Sequence, residues 1–218
     1  YMPYGYNSTT LSPTFEISPN ATLLPASGAT KDFSSPVIYT VTSEDGKVKK
    51  TYTVQLYIPT ITLSRMLDSG WNWISLGVVP NNSSISGVFN SQSFAELDYI
   101  KTTIASSVYY SSSGWFGDLV TIPQNELVML KKAEASEFSL TGKEINPTTT
   151  SIPISEGWNR IGFCLKGNAL IDETFDENVL PAGELLLKSK DGSAIYYPGT
   201  GWIGDIDSLR VLNGYMLK

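Results

Sequence analysis

The side chains able to do chemistry in this chain are carboxylates and aromatic rings. Asp172, Glu173, Asp176 and Glu177 crowd one stretch, and Asp205-Ile206-Asp207 sets two carboxylates two residues apart. Two carboxyl groups held across a cleft would cleave a glycosidic bond, and a shell of six to eight oxygens would hold calcium. The spacing specifies neither. The first group has the pattern of the solvated side of a short helix, and the second supplies too few oxygens. The chain has no histidine and one cysteine, Cys164. A Ser–His–Asp triad, a Cys–His dyad, a His-based zinc site and an internal disulfide are therefore excluded within it. Cys164, between Phe163 and Leu165, reads as a buried inert thiol. No catalytic residue, metal site or cofactor is assigned, and the chain is read as non-enzymatic.

Aromatic rings are the better candidates, because exposed Trp and Tyr mark binding surfaces. Their positions follow an internal duplication. Gly70-Trp71-Asn72 recurs as Gly157-Trp158-Asn159, and the same offset of 87 maps Tyr109-Tyr110 onto Tyr196-Tyr197. It also maps Gly114-Trp115 onto Gly201-Trp202, Gly117-Asp118 onto Gly204-Asp205, and Met129-Leu130-Lys131 onto Met216-Leu217-Lys218. Of 62 aligned pairs, 17 are identical. A register held over that length means one structural unit was duplicated. Residues kept in both copies are expected to pack in each core, which covers Trp71/Trp158, Trp115/Trp202 and Tyr109/Tyr196.

Trp73 is the exception, since its counterpart is Arg160. Ile74, Leu76 and Val78 form one apolar face, repeated as Ile161, Phe163 and Leu165, and Trp73 falls on the other face. Trp73 is thus the tryptophan expected to be at least partly exposed, either as a ligand platform or seated under the joining segment or the first module. Trp73, Tyr110 and Tyr197 are the candidate ligand-binding residues.

These residues require strands to position them. Charged residues are 17% and aromatics 11% of the 218 residues, a mix suited to strands and polar turns. The net charge of −6 and the lack of any large Lys/Arg cluster argue against nucleic acid. No apolar run is long enough to span a membrane.

Residues 1–58 form a first module. Val37–Thr42 and Lys50–Tyr57 read as a hairpin about the turn Glu44-Asp45-Gly46-Lys47, with Thr14–Ile17 as a further strand. Residues 59–218 form a duplicated domain, with units 70–131 and 157–218 joined by 132–156. Each unit reads as strands plus one short helix, marked by Ile85/Phe89 and Ile171/Phe175 at i, i+4. Strands are expected at 73–79 and 160–165, and in the joining segment at 138–140 and 151–154. The fold class is mainly β.

The order Leu11-Ser12-Pro13-Thr14-Phe15, Ala21 to Gly28, Asp32-Phe33 and Tyr39 to Gly46 resembles small immunoglobulin-like modules of Bacteroidetes-type surface proteins. The resemblance implies an immunoglobulin-like β-sandwich with Met2-Pro3-Tyr4-Gly5 lying mid-module. Such a sandwich needs roughly 80–100 residues, so the module reads as incomplete at its N-terminus. The Gly-Trp-Asn opening and Gly-Tyr-Met-Leu-Lys ending resemble a repeat of extracellular proteins of the same bacteria, found near adhesion or carbohydrate-related modules. The expected setting is the bacterial outer surface, and the expected partner a surface glycan or protein. Three functions follow: adhesion or a structural stalk, taken as the main expectation; carbohydrate binding within a polysaccharide-capture or degradation system; and self-assembly through an open sheet edge.

Overall fold

A computed structural model describes residues 7–90, 92–147, 150–164, 166–175, 180 and 184–218. The chain is mainly β and divides into two compact units, Tyr1–Pro59 and Thr60–Lys218.

In the first unit, a 3-10 turn at Ser8–Thr10 precedes β1 (Thr22–Leu24), β2 (Val37–Thr42) and β3 (Lys49–Val54), an antiparallel sheet in that order. The β-branched run of β2 suits a central strand. Gly46, at φ 69°, makes the hairpin turn, and Asp45 closes it by accepting from the Ser43 hydroxyl and the Lys47 amide. Tyr39 faces Tyr52 across the ladder and is buried under the Phe15 ring, 4.6 Å away. Thr14–Ile17 is not a strand. The Phe15 amide donates to the Ser27 hydroxyl, which donates back to the Phe15 carbonyl, so a local clasp replaces ladder pairing. Met2–Gly5 lie outside the described residues.

The second unit opens with β4 (Thr60–Leu67), β5 (Gly70–Ile74), β6 (Val79–Pro80), α1 (Ile85–Val88), β7 (Tyr99–Lys101), β8 (Ser106–Tyr110), β9 (Gly114–Gly117), β10 (Val128–Lys132) and β11 (Ser136–Lys143). It continues with β12 (Asn159–Gly162), β13 (Ala169–Leu170), α2 (Ile171–Thr174), β14 (Leu185–Lys188), β15 (Ser193–Tyr197), β16 (Gly201–Gly204), β17 (Ser208–Leu209) and β18 (Gly214–Leu217). Two five-stranded sheets run β5-β10-β7-β8-β9 and β12-β18-β14-β15-β16, the same order at an offset of 87 residues. The inner face of the first carries Ile74, Ile100, Val128 and Leu130, packed with Leu63 and Leu67 of β4 and Phe138 and Leu140 of β11. The second core gathers Ile161, Ile171, Leu187, Tyr215 and Leu217.

Each helix is a single turn: α1 buries Ile85 and Val88 in the first core, and α2 buries Ile171 in the second. The Ile85 amide donates to the Val120 carbonyl and the Ile171 amide to that of Asp207. The acceptors differ by 87 and the donors by 86, so a one-residue slip in the repeat is absorbed before the helix.

Two expected strands stop short. The first apolar run leaves its ladder after Ile74, because the Ser75 amide donates to the Leu212 carbonyl of the second repeat. Its counterpart ends at Gly162, whose amide donates to the Asn125 carbonyl of the first; Leu165 lies outside the described residues. Adding 87 to 75 gives 162, and to 125 gives 212, so these two bonds are mates under a pseudo-twofold. Asn125 and Leu212 share positive φ, 59° and 58°. The segment 151–154 is not a strand either.

Candidate functional site

The Gly-Trp-Asn motif builds the site. Gly70 (φ 87°) and Gly157 (φ 89°) turn the chain in a conformation that costs other residues more. The asparagine then clamps the turn. The Asn72 carboxamide accepts from the Asp68 amide at 3.0 Å and donates to the Asp68 carbonyl at 2.8 Å, and Asn159 does the same to Ser155, both at 2.8 Å. With Asn72 and Ile74 facing inward, strand alternation turns the tryptophans outward.

This corrects the expectation that Trp71 and Trp158 pack in the cores. Both lie on the outer sheet face, and Trp158 is 43% exposed. Trp115 and Trp202 do face inward. Trp115 meets Phe89, Phe94 and Tyr109 at 4.8–5.8 Å between ring centroids, and Trp202 meets Phe175 and Tyr196.

One row crosses the first sheet's outer face: Trp71, Lys131, Tyr99, Val108 and Phe116, each opposite the next. Five strands at the usual spacing span roughly 19 Å. A second row begins Trp73, Met129, Lys101. Trp73 is half-buried beside Trp71, and its carbonyl accepts from Arg65 at 3.3 Å. Tyr110 lies on this same face, opposite Gly114 three strands from Trp73. Tyr197 holds the matching place on the second sheet, opposite Gly201. The first face therefore unites Trp71, Trp73, Tyr99, Tyr110 and Phe116, which is 74% exposed.

Each repeated tryptophan also carries a lysine. Lys101 lies over the Trp71 ring at 4.9 Å, and its mate Lys188 lies over Trp158 at 4.9 Å, with Lys218 at 5.9 Å from the same ring. Sequence parity already held the signal for this face, because any residue two before Trp73 shares its side.

The second outer face differs in composition. Arg160, Leu186, Ile195 and Ile203 replace Trp73, Tyr99, Val108 and Phe116. A groove of about 710 Å³ runs from this face to the junction with the first repeat. Its lining includes Trp158, Arg160 and Met216 of the second repeat, Gln124 and Glu126 of the first, and Ser151 and Ser155 of the joining segment. The Arg160 Nε donates to the Leu127 carbonyl at 3.0 Å and one terminal nitrogen to Thr103 Oγ1 at 3.4 Å; the other is buried with no partner among the described residues. Burial lowers the Arg160 pKa, and the Glu126 charge opposes that shift.

The remaining candidates do not assemble. Asp172 and Glu173 sit in the first turn of α2, and Asp176 and Glu177 lie outside the described residues. Asp205 and Asp207 border a small hollow of about 80 Å³. Among the described residues, no three metal-ligating side chains converge. The Cys164 thiol donates to Asn125 Oδ1 at 3.2 Å, and burial pushes its pKa up to about 11.

Residues 1–56 match the family model described as SGBP, N-terminal, a match that ends before the repeats begin. No curated protein matches the chain. Among solved structures it is similar to a "putative glycoside hydrolase" from Bacteroides thetaiotaomicron, at 14% identity over 99% of this chain and 80% of the other, with a TM-score of 0.24. A superposition that loose carries no argument about activity.

Proposed function

We propose that this chain is a non-catalytic glycan-binding module of a bacterial cell-surface system for polysaccharide capture. The observation that carries the reading is the first outer sheet face, where Trp71, Trp73, Tyr99, Tyr110 and Phe116 share one solvent-facing surface. Aromatic rings held on a sheet are rigid apolar platforms with polar edges, the surface a sugar ring stacks on. The match of residues 1–56 to a family of surface glycan-binding proteins supports the same reading. It favours carbohydrate capture over an adhesive or stalk role. Self-assembly through the first unit has less support, because the exposed edge strand β3 carries Lys49 and Lys50, charges that discourage edge-to-edge pairing.

The test is affinity electrophoresis of the whole chain in gels containing neutral polysaccharides, beside Trp73→Ala and Tyr110→Ala. Retardation by at least one polysaccharide, weakened about tenfold or more in Trp73→Ala, is expected. If no polysaccharide retards the chain, or both variants migrate like the parent, the reading is wrong.

A further inference from the structure

The two outer faces share a scaffold but differ in chemistry. Both keep one tryptophan, one methionine and two lysines, as Trp71, Met129, Lys101 and Lys131 in the first and Trp158, Met216, Lys188 and Lys218 in the second. These are solvent-side positions, where core packing does not dictate the residue. The second face replaces Trp73 with Arg160, which adds a third cation. It also replaces Tyr99, whose ring meets Trp71 edge-on at 6.0 Å, with Leu186. Trp158 lacks that aromatic neighbour and stands 43% exposed.

Charge is the second independent observation. The chain carries net −6, yet among the described residues neither Lys188 nor Lys218 has a side-chain carboxylate within salt-bridge distance. Lysine ammonium groups left unneutralised beside an exposed indole fit an incoming anion. Among the described residues Glu126 is the one carboxylate in the groove lining, and its charge acts on Arg160. The amide of Gln124 and the hydroxyls of Ser151 and Ser155 add neutral polar groups able to bond sugar hydroxyls.

We propose that this groove is a second saccharide site, selective for a negatively charged sugar unit, a uronate or a sulfated residue. The sugar ring packs against the exposed part of the Trp158 indole, and its anionic group is held by Lys188 and Lys218, which stand over that indole beside the groove, with Arg160 in the groove lining. The proposal extends the glycan reading to a site that shares no residue with the first face, so each fails separately.

The test is isothermal titration of the whole chain with three probes of matched length: an oligogalacturonate, a sulfated galactan oligosaccharide and a neutral galactan oligosaccharide. Inorganic sulfate alone is the fourth arm. Variants are Trp158→Ala, Lys188→Gln with Lys218→Gln, and Trp73→Ala, each first checked for a native thermal transition. At least one charged probe is expected to bind more tightly than the neutral one, to weaken about tenfold or more in Trp158→Ala and in the lysine pair, and to weaken as salt is raised. Trp73→Ala should weaken only neutral-glycan binding at the first face. The proposal is overturned if no charged probe outbinds the neutral one, if the Trp158 and lysine variants bind like the parent, or if inorganic sulfate binds as tightly as the sulfated oligosaccharide. Failure of the neutral probe alone would count against the first face and leave this site standing.

Discussion

The Lys132 ammonium and the Asp98 carboxylate form an ion pair at 3.1 Å inside the first repeat, with side chains 3% and 0% exposed. The surroundings complete it. Lys132 also donates to the Ser93 carbonyl at 2.6 Å and lies over the Phe94 ring at 4.3 Å, while Asp98 accepts from the amides of Ala95 and Ala133. Removing one member strands a buried charge, which typically costs about 3–5 kcal/mol, whereas replacing both with apolar groups can cost little. Asp98→Ala and Lys132→Met should each lower stability in urea by that order. The double change should recover part of the loss. Two additive single losses would mean that the pair does not act as a unit.

The asparagine of each Gly-Trp-Asn motif is a turn clamp, and the two copies should differ in weight. Asn72 is fully buried, while Asn159 is partly exposed. Asn72→Ala leaves the Asp68 amide and carbonyl without their side-chain partner and should cost about 1–3 kcal/mol. Asn159→Ala should cost less, because water can replace the lost bonds. Thermal unfolding of the two variants side by side checks the order.

The junction between repeats has no spare room at Gly162. A Cβ placed there would press on the Ser75 side chain, whose hydroxyl donates to the Asn213 carbonyl at 2.7 Å. Gly162→Val should destabilise the second unit by about 1–3 kcal/mol through overpacking. Gly167→Val, where no atom of the described residues lies within 4 Å of the added Cβ, serves as the control. Equal unfolding midpoints for the two variants would contradict this packing.

Cys164 should react slowly with thiol reagents at pH 8 in the folded chain and fully after denaturation. Burial raises its pKa from 9.0 to about 11. Below pH 9 both states hold the proton. Between pH 9 and about 11 only the unfolded chain releases it, so the unfolded state gains and stability falls as pH rises. Urea midpoints across that window, compared with Cys164→Ala, should show a decline that the variant lacks in part.

The sequence made the duplication, the inward Trp115 and the paired Ile85 and Ile171 legible, because each depends on local period and repeat register. It made Trp71 misleading. Retention in two copies argued for a core residue, while alternation from Asn72 and Ile74 argued for the outer face, and alternation is the stronger constraint in a strand. The end of β5 at Ile74 was not legible, since its cause is a bond to Leu212, 137 positions away. Nor was the Lys132–Asp98 pair, which has no counterpart in the second repeat, where Leu185 stands at the position of Asp98.

The mated bonds from Ser75 to Leu212 and from Gly162 to Asn125 have the geometry of a symmetric dimer written into one chain. A true homodimer must show the same surface twice, so every change to one copy appears in both. Covalent tethering removes that obligation. Each half still supplies the other's terminal strand contact, yet their outward surfaces are free to diverge, as Trp73 and Arg160 have done.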